Sequence, residues 1–196
     1  MLKGQNNRRD FLRAVGAGTV ALGSIDWLRP AVQRESGIPQ IRIERYYRIG
    51  RYIFDPLGLY VEVGQTVHWF PVSDGFSVTA YHPDNDNHEL RIPEQAQPFD
   101  SGILWRRESF EWKFKVEGTY DFYSRNQEAI GTVGRIVVGR PGGPGEKPLG
   151  YGSREGWAPI FTEVIRTLEF AQSDEIVRQK MIPYPAEELG RRFPLY

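Results

Sequence analysis

The sequence predicts an all-β protein: a Greek-key β-sandwich, preceded by an N-terminal signal or anchor helix and followed by a C-terminal helical and extended arm. Short apolar runs separated by turn residues fill residues 40–139, and the clearest of them, FEWKFKV at 110–116, alternates between apolar and charged positions. The 196 residues include 21 glycines and 14 prolines, which is typical of a loop-rich β fold. We expect three segments, at 1–30, 38–140 and 141–196.

The composition excludes several classes of function. Lys+Arg and Asp+Glu both number 25, so the formal charge is zero, whereas proteins that bind nucleic acid through its phosphates usually carry a basic surplus. The absence of cysteine removes disulfides, thiolate nucleophiles, iron–sulfur clusters and thiolate-ligated metals. Because phosphate-loop, G-x-S-x-G and H-E-x-x-H patterns are also missing, we expect neither an enzyme nor a nucleic-acid partner.

The first 30 residues resemble a twin-arginine export signal. Arg8 and Arg9 precede an Asp-Phe-Leu triplet and an apolar, Gly/Ala-rich stretch at 14–22. Two outcomes stay open: cleavage near residue 23, or retention of residues 11–28 as a helix of about 27 Å, close to the ~30 Å of a hydrocarbon core. We expect retention, with the remainder of the chain on the periplasmic side of the inner membrane.

Alternating apolar residues predict the strands of the middle segment. Ile41 and Ile43 alternate with charged residues, and the segments 60–63 and 66–70 read as two strands joined by a tight turn. Further strands are predicted at 77–81, 110–116, 120–123 and 134–139. About seven short strands in about 100 residues favour a sandwich with Greek-key links.

Two segments carry a distinctive order of motifs: VEVGQTVHWFPVSDGFSVTAYHP at 61–83 and PFDSGILWRRESFEWKFKVEGTYDFYSRNQEAIGTVGRIVVG at 98–139. Together, the glycine-punctuated strand pair, the FDSG segment and the closing G-x-V-G-x-I-V-V-G resemble the plastocyanin-type cupredoxin family. The resemblance covers residues 60–139 and implies a cupredoxin-like sandwich. In that family two His, one Cys and one axial Met hold a copper ion.

All four copper ligands of that family are missing here. The resemblance places the first His position at Phe76, and the Cys, second His and axial Met positions at Ser124, Gln127 and Thr132. Phenylalanine offers no lone pair, and neutral hydroxyl and amide oxygens are weak ligands for copper. We therefore expect no copper and no other cofactor. We also expect Phe76 to fill the vacated space while the three polar residues hold the loop by hydrogen bonds.

One loop outside these positions groups metal-ligating residue types. His82, Asp84, Asp86 and His88 lie within eight residues and form a weak alternative metal site. The other interpretation is a solvated loop rich in Asx turns.

The C-terminal segment begins with residues 139–145, which have the composition of a linker. Apolar residues between 157 and 168 then recur at three- and four-residue steps and predict an amphipathic helix; a second helix is predicted at 173–181, followed by an extended tail. This arm either packs on its own sandwich or lies along another subunit. We expect the second arrangement, in which the partner-binding residues are Trp157, Phe161, Ile165, Tyr184, Phe193 and Tyr196.

These observations predict a copper-free accessory subunit with a structural role on the periplasmic face of a membrane electron-transfer complex, such as a photosynthetic reaction centre or a respiratory complex. Its partners would be other protein subunits and, through an uncleaved N-terminal helix, the membrane. The electron-transfer setting comes from the resemblance alone. The former copper loop is the expected docking surface, with Ala129, Ile130 and Val133 beside Arg125. The alternative is a soluble periplasmic carrier of a metal or a small ligand.

Overall fold

The computed structural model describes residues 37–47, 50–151, 158 and 160–188, and the strands in this part of the chain form two β-sheets. The predicted export signal and membrane anchor lie outside this part of the chain. In the described part, no helix is long and apolar enough to span a bilayer. The elements in chain order are the strands β1 (Gln40–Tyr46), β2 (Arg51–Asp55), β3 (Gly58–Val61), β4 (Thr66–Pro71), β5 (Thr79–Ala80), β6 (Phe110–Lys113), β7 (Gly118–Tyr123) and β8 (Val133–Val138), the helices α1 (Thr162–Leu168) and α2 (Ser173–Gln179), and the strand β9 (Met181–Ile182).

The two sheets have a Greek-key connection pattern. The first sheet has the order β2-β1-β4-β6 and the second β5-β7-β8-β3-β9. Parallel pairing of β1 with β4 and of β3 with β8 shows that the chain repeatedly crosses between the sheets. The predicted all-β sandwich followed by a helical segment is therefore confirmed.

The two strands predicted at 60–63 and 66–70 are present as β3 and β4, but they do not pair with each other. β3 belongs to the second sheet and β4 to the first. The turn itself is present, because the N–H of Gln65 donates to the carbonyl of Glu62 at 3.1 Å and the side-chain oxygen of Gln65 accepts from the N–H of Glu62 at 2.7 Å. It carries the chain across the sandwich instead of back along the same sheet.

Aromatic side chains fill the space between the sheets. Trp69 of β4 is completely buried, and its ring centroid lies 5.7–6.2 Å from those of Phe99, Phe110, Phe114 and Phe122. Offset and edge-on contacts at these distances are favourable for aromatic pairs. The period-2 pattern of β4, which points every second residue inward, produces this core.

A second apolar layer covers the outer face of the second sheet. Every residue of β8 is buried, because Ile136 and Val138 face the sandwich core while Val133 and Val137 face the C-terminal arm. The arm contributes Val164, Leu168, Ala171, Ile176 and Ile182 to this layer. Over residues 160–188 the arm thus packs on its own domain, unlike the expected arrangement along another subunit.

Two local features hold the C-terminal arm against β3 of the second sheet. Gly58 of β3 leaves room for α2, because a Cβ there would lie only 2.7 Å from the side chain of Ile176. Beyond α2, the chain turns into β9, which pairs antiparallel with β3. The predicted second helix therefore ends at Gln179, and Met181 belongs to a strand.

Residues 139–145 are not the loose linker that their composition suggests. Pro144 and Gly145 are buried at the start of a short 3₁₀ helix, Pro144–Glu146. The carbonyl of Gly145 accepts hydrogen bonds from the guanidinium groups of Arg91, at 2.7 Å, and Arg135, at 3.2 Å. Glycine is required here by close packing, since a Cβ at position 145 would lie 2.6 Å from the carbonyl oxygen of Thr119.

A buried carboxylate binds the same two arginines. Asp121 of β7 is completely buried and accepts from Nε of Arg91 at 2.7 Å and from Nε of Arg135 at 2.7 Å. Burial alone would raise the pKa of Asp121, but the two guanidinium charges outweigh it and hold that pKa below its usual 3.8. Glu89, itself buried, adds a second carboxylate at 3.1 Å from Arg91.

We predict that Asp121→Asn lowers the free energy of unfolding by about 3–5 kcal/mol, because two buried guanidinium groups lose their shared counter-charge. Urea unfolding followed by circular dichroism measures the change. Glu117→Gln is the matched control, since it breaks an ion pair with the exposed Arg140 and should change stability little. Equal effects of the two substitutions would contradict this account of the buried network.

Candidate functional site

The β7–β8 loop, residues 124–132, contains three of the four positions that hold copper in the resembling family. Ser124 is completely buried; its hydroxyl accepts from the N–H of Ser77 at 3.0 Å and donates to the side-chain oxygen of Gln127 at 2.6 Å. The Gln127 amide in turn donates to the carbonyl of Gly75 at 3.1 Å. The polar atoms at these two positions are thus already engaged with each other and with the main chain.

The other two positions flank Tyr52 of β2. The Phe76 ring is completely buried and stands edge-on to the Tyr52 ring at 5.4 Å, while the hydroxyl of Thr132 donates to the Tyr52 carbonyl at 2.7 Å. The structure therefore brings Phe76, Ser124, Gln127 and Thr132 to one end of the sandwich. A phenyl ring and three engaged neutral groups offer no set of donors suited to a copper ion.

The loop has its shape because a 3₁₀ helix, Arg125–Ile130, ends at a left-handed residue. Gly131 has φ of 82°, and its N–H donates to the carbonyl of Glu128 at 2.7 Å. A Cβ at Gly131 would lie 2.8 Å from the carbonyl oxygen of Glu163 in α1. Glycine therefore satisfies both the backbone turn and the close approach of α1.

A buried cluster of titratable groups lies behind this loop. It contains Glu128, His88, Tyr81 and Tyr123, each at most 5% exposed. Nε2 of His88 lies 2.9 Å from both carboxylate oxygens of Glu128, and the Tyr81 hydroxyl donates to the same carboxylate at 2.7 Å. The His88 ring stacks on Tyr123, with centroids 4.6 Å apart.

The cluster changes the affinity of its members for protons. Burial lowers the pKa of His88, but the contacts with Glu128 and with the main chain of Asp86 outweigh it, so that the net pKa lies above 6.5. Burial and the Glu128 charge raise the pKa of Tyr81 well above 10.0. His88 is thus held toward its charged form and Tyr81 toward its neutral form.

An ion-pair bridge connects the cluster to the surface. Arg125 donates from Nε to Asp86 at 2.7 Å and from an Nη to Asp100 at 2.7 Å. Asp86 also accepts from the Tyr123 hydroxyl at 2.8 Å. Burial alone would raise the pKa of Asp86, but the hydrogen bonds from Arg125 and Tyr123 lower it below 3.8.

The four residues of the weak alternative metal site do not converge. The His88 side chain faces Glu128 and the Asp86 carboxylate faces Arg125, whereas Nδ1 of His82 lies 3.6 Å from the Asp84 carboxylate. Across the described residues, no group of three or more His, Asp or Glu side chains is placed to hold a metal ion.

The expected partner-binding residues have different positions. Phe161, just before α1, and Ile165 of α1 are 40% and 37% exposed. Tyr184 is buried, and this burial raises its pKa to about 12. Tyr184 therefore packs within its own domain. The remaining three, Trp157, Phe193 and Tyr196, lie outside the described residues.

One of the three apolar residues predicted for the docking surface of the loop is not exposed. Ala129 and Ile130 are exposed as expected, but Val133 is completely buried under the arm, so it cannot contribute to a docking surface.

Sequence reasoning missed a more prominent exposed feature. Leu104 forms an antiparallel bridge with Phe76 and points inward, so its neighbours Ile103 and Trp105 point outward and are 42% and 58% exposed. Val72, which precedes Phe76 by four residues in the sequence, is 45% exposed. A tryptophan beside two arginines in a stretch without strand periodicity was the available signal.

We predict that His88→Gln destabilises the protein more at low pH than at high pH. Since the folded pKa of His88 is raised above 6.5, its stabilising effect is fully present below that value and is lost as pH rises through the folded pKa. The loss in free energy of unfolding should be about 1–2 kcal/mol larger at about pH 6 than at about pH 9. Tyr81→Phe, which removes a neutral donor from Glu128, should show no such pH dependence over that range. Parallel urea titrations at the two pH values test both variants.

The geometry also predicts that a copper site can be restored. Combining Phe76→His, Ser124→Cys, Gln127→His and Thr132→Met should produce a visible thiolate-to-copper absorption on addition of Cu(II). The matched variant that keeps Ser124 should stay colourless. A folded quadruple variant that binds copper without this absorption would show that the four positions are misassigned.

Several solved cupredoxin structures are similar to this chain. No family model and no curated protein matches the chain. A pseudoazurin from Sinorhizobium meliloti is 19% identical with a TM-score of 0.48, covering 67% of this chain and 92% of its own. A pseudoazurin from Methylobacterium extorquens is 18% identical with a TM-score of 0.46, covering 71% and 98%. A purple cupredoxin from Nitrosopumilus maritimus is 25% identical with a TM-score of 0.40, covering 51% and 98%. All three TM-scores lie below 0.5.

Proposed function

We propose that this chain is a copper-free, non-catalytic accessory subunit that docks on a partner subunit through one end of its sandwich. This docking face, the loop end, consists of residues 72–76, 102–106 and 125–130. The observation that carries the proposal is that large apolar side chains are exposed there, around positions whose residues have no capacity to hold copper. The most exposed of them is Trp105.

The loop end is held together by its own hydrogen bonds. The N–H of Gly75 donates to the carbonyl of Leu104 at 3.1 Å, and the carbonyl of Gly75 accepts from the side chains of Asn126, at 3.2 Å, and Gln127. Gly75 thus joins the three segments of this face. A pre-ordered surface loses less conformational entropy on association, which favours tight docking.

The residue types at the loop end suit an interface. Tryptophan and arginine are the side chains that most often dominate binding energy, and Trp105 is followed by the exposed Arg106 and Arg107. The N–H of Arg106 donates to Asp74 at 2.6 Å, so the turn that presents Trp105 is anchored to the neighbouring segment. Burying an exposed tryptophan is commonly worth about 2 kcal/mol or more of binding energy.

The cellular setting of the proposal comes from the sequence. The twin-arginine resemblance supports export to the periplasmic side of the inner membrane, with the N-terminal helix as an anchor. The cupredoxin resemblance supports an electron-transfer complex, photosynthetic or respiratory, as the assembly that holds the partner subunit. The burial of Tyr184 makes the arm a part of the scaffold rather than the main contact.

The alternative function, a soluble carrier, is favoured by a single observation. An open groove beside β6, about 400 Å³ in volume, has the size of a small-ligand site. A role as a metal carrier has no such support, because the side chains of His82, Asp84, Asp86 and His88 do not converge on one point.

We predict that Trp105→Ala releases the protein from its assembly. After solubilisation of native membranes in mild detergent, the unaltered chain should co-migrate with a large complex on a native gel, and the variant should be retained about tenfold less. Phe161→Ser is the matched control, since it removes an exposed aromatic residue from the arm and should leave retention unchanged. Quantitative recovery of the unaltered chain as a monomer would overturn the proposal, and release by Phe161→Ser alone would move the docking face to the arm.

A further inference from the structure

The groove beside β6 is built differently from the loop end. Its floor is apolar and its rim is polar and basic, and it runs between the edge of the first sheet and the connection from β5 to β6. The lining residues are Ala96, Trp112, Val116 and Tyr120 in the floor and Gln95, Gln97, Lys113 and Lys115 at the rim.

One edge of β6, beside this groove, has no strand partner among the residues that the structure describes. β6 is the last strand of the first sheet, and its neighbour in that sheet is β4. Phe114 directs both its N–H and its carbonyl toward the β3–β4 turn, bonding Gln65 and Gly64 at 2.9 and 2.6 Å. Since successive residues of an antiparallel strand face opposite sides, the N–H and carbonyl groups of Glu111 and Lys113 point away from β4.

The charge of the rim selects the partner. Lys113 and Lys115 are both exposed, and neither forms an ion pair with any described residue. The two positions share one face of the chain because they are two residues apart. The one acidic residue of β6, Glu111, is exposed but does not line the groove. An occupant with carboxylates at alternate positions would meet these two ammonium groups.

The floor of the groove suits the other face of such an occupant. Trp112 and Val116 are half-buried, and Ala96 lies opposite them in the 93–96 turn, where its N–H donates to the carbonyl of Pro93 at 2.9 Å. An extended peptide places every second side chain on the same side, so apolar side chains would contact this floor while acidic ones reach the rim.

We propose that the groove binds an extended acidic segment of a partner protein, which adds to the first sheet as a strand beside β6. The main-chain groups of Glu111 and Lys113 would pair with the segment, and Lys113 and Lys115 would select its carboxylates. This site is separate from the loop end, so it gives the proposed subunit a second contact and does not depend on the first.

The test uses a short capped peptide of alternating valine and glutamate as the probe, titrated into the purified protein. We expect saturable binding that slows hydrogen exchange at the amides of Glu111 and Lys113, measured by nuclear magnetic resonance. A peptide with lysine in place of glutamate should bind about tenfold or more weakly. Equal binding of the two peptides, or binding without protection of these two amides, would overturn the proposal.

Two variants separate strand addition from simple charge attraction. Lys113→Pro removes the outward N–H and is tolerated at an edge strand, so it should abolish both peptide binding and the protection of the Glu111 amide. Lys113→Ala keeps that N–H and should weaken binding only a few-fold, about as expected for one exposed ion pair. Equal loss in the two variants would contradict pairing through the main chain.

A small amphipathic anion, decanoate, serves as the competing probe. Because it cannot pair with a strand, it should neither protect the two amides nor respond differently to Lys113→Pro and Lys113→Ala. Binding of decanoate with no binding of the peptide would overturn the proposal in favour of a small-ligand groove. The loop-end variant Trp105→Ala should bind the peptide normally, which keeps failure of this site distinct from failure of the docking face.

Discussion

One buried carboxylate, Asp121, constrains how the rest of the domain is assembled. Completely buried between Arg91 and Arg135, it is the counter-charge that the two guanidinium groups share, and Glu89 adds a second carboxylate beside Arg91. The remaining donors of these arginines reach main-chain oxygens of Gly145, Lys147 and Ala171. The buried arginines therefore gain these main-chain hydrogen bonds only when the segments after β8 are in place, so sandwich and arm stabilise each other.

The end of the sandwich that resembles a copper site keeps its shape by other means. Aromatic packing by Phe76 and a chain of hydrogen bonds through Ser124 and Gln127 perform the mechanical task that metal coordination performs in a copper protein. Behind them, the His88–Glu128 pair supports the same loop from inside. A loop held by contacts on both sides suits the docking face proposed above.

Much of the fold follows from the sequence, because alternation of apolar residues marks β1, β4 and β6 directly. The assignment of Phe76, Ser124, Gln127 and Thr132 to copper-ligand positions rests on the resemblance and stays a prediction. The crossing of the chain from β3 in one sheet to β4 in the other could not be predicted, because the sequence of a tight turn is the same whether it joins strands of one sheet or of two. The role of Asp121 was equally hidden, since its partners lie 30 and 14 positions away in the chain. The exposure of Trp105 was not predicted, because it follows from the bridge between Leu104 and Phe76, which no periodic pattern in the sequence indicates.

The two-residue strand β9 protects one edge of the second sheet. By pairing with Gly58 and Leu59, it occupies the side of β3 that would otherwise offer open main-chain groups to another molecule. Proteolysis that removed the chain beyond Lys180 would uncover this side together with apolar residues of the second sheet. Such truncated molecules would tend to associate through the exposed edge of β3. The C-terminal segment therefore also helps to keep the domain soluble.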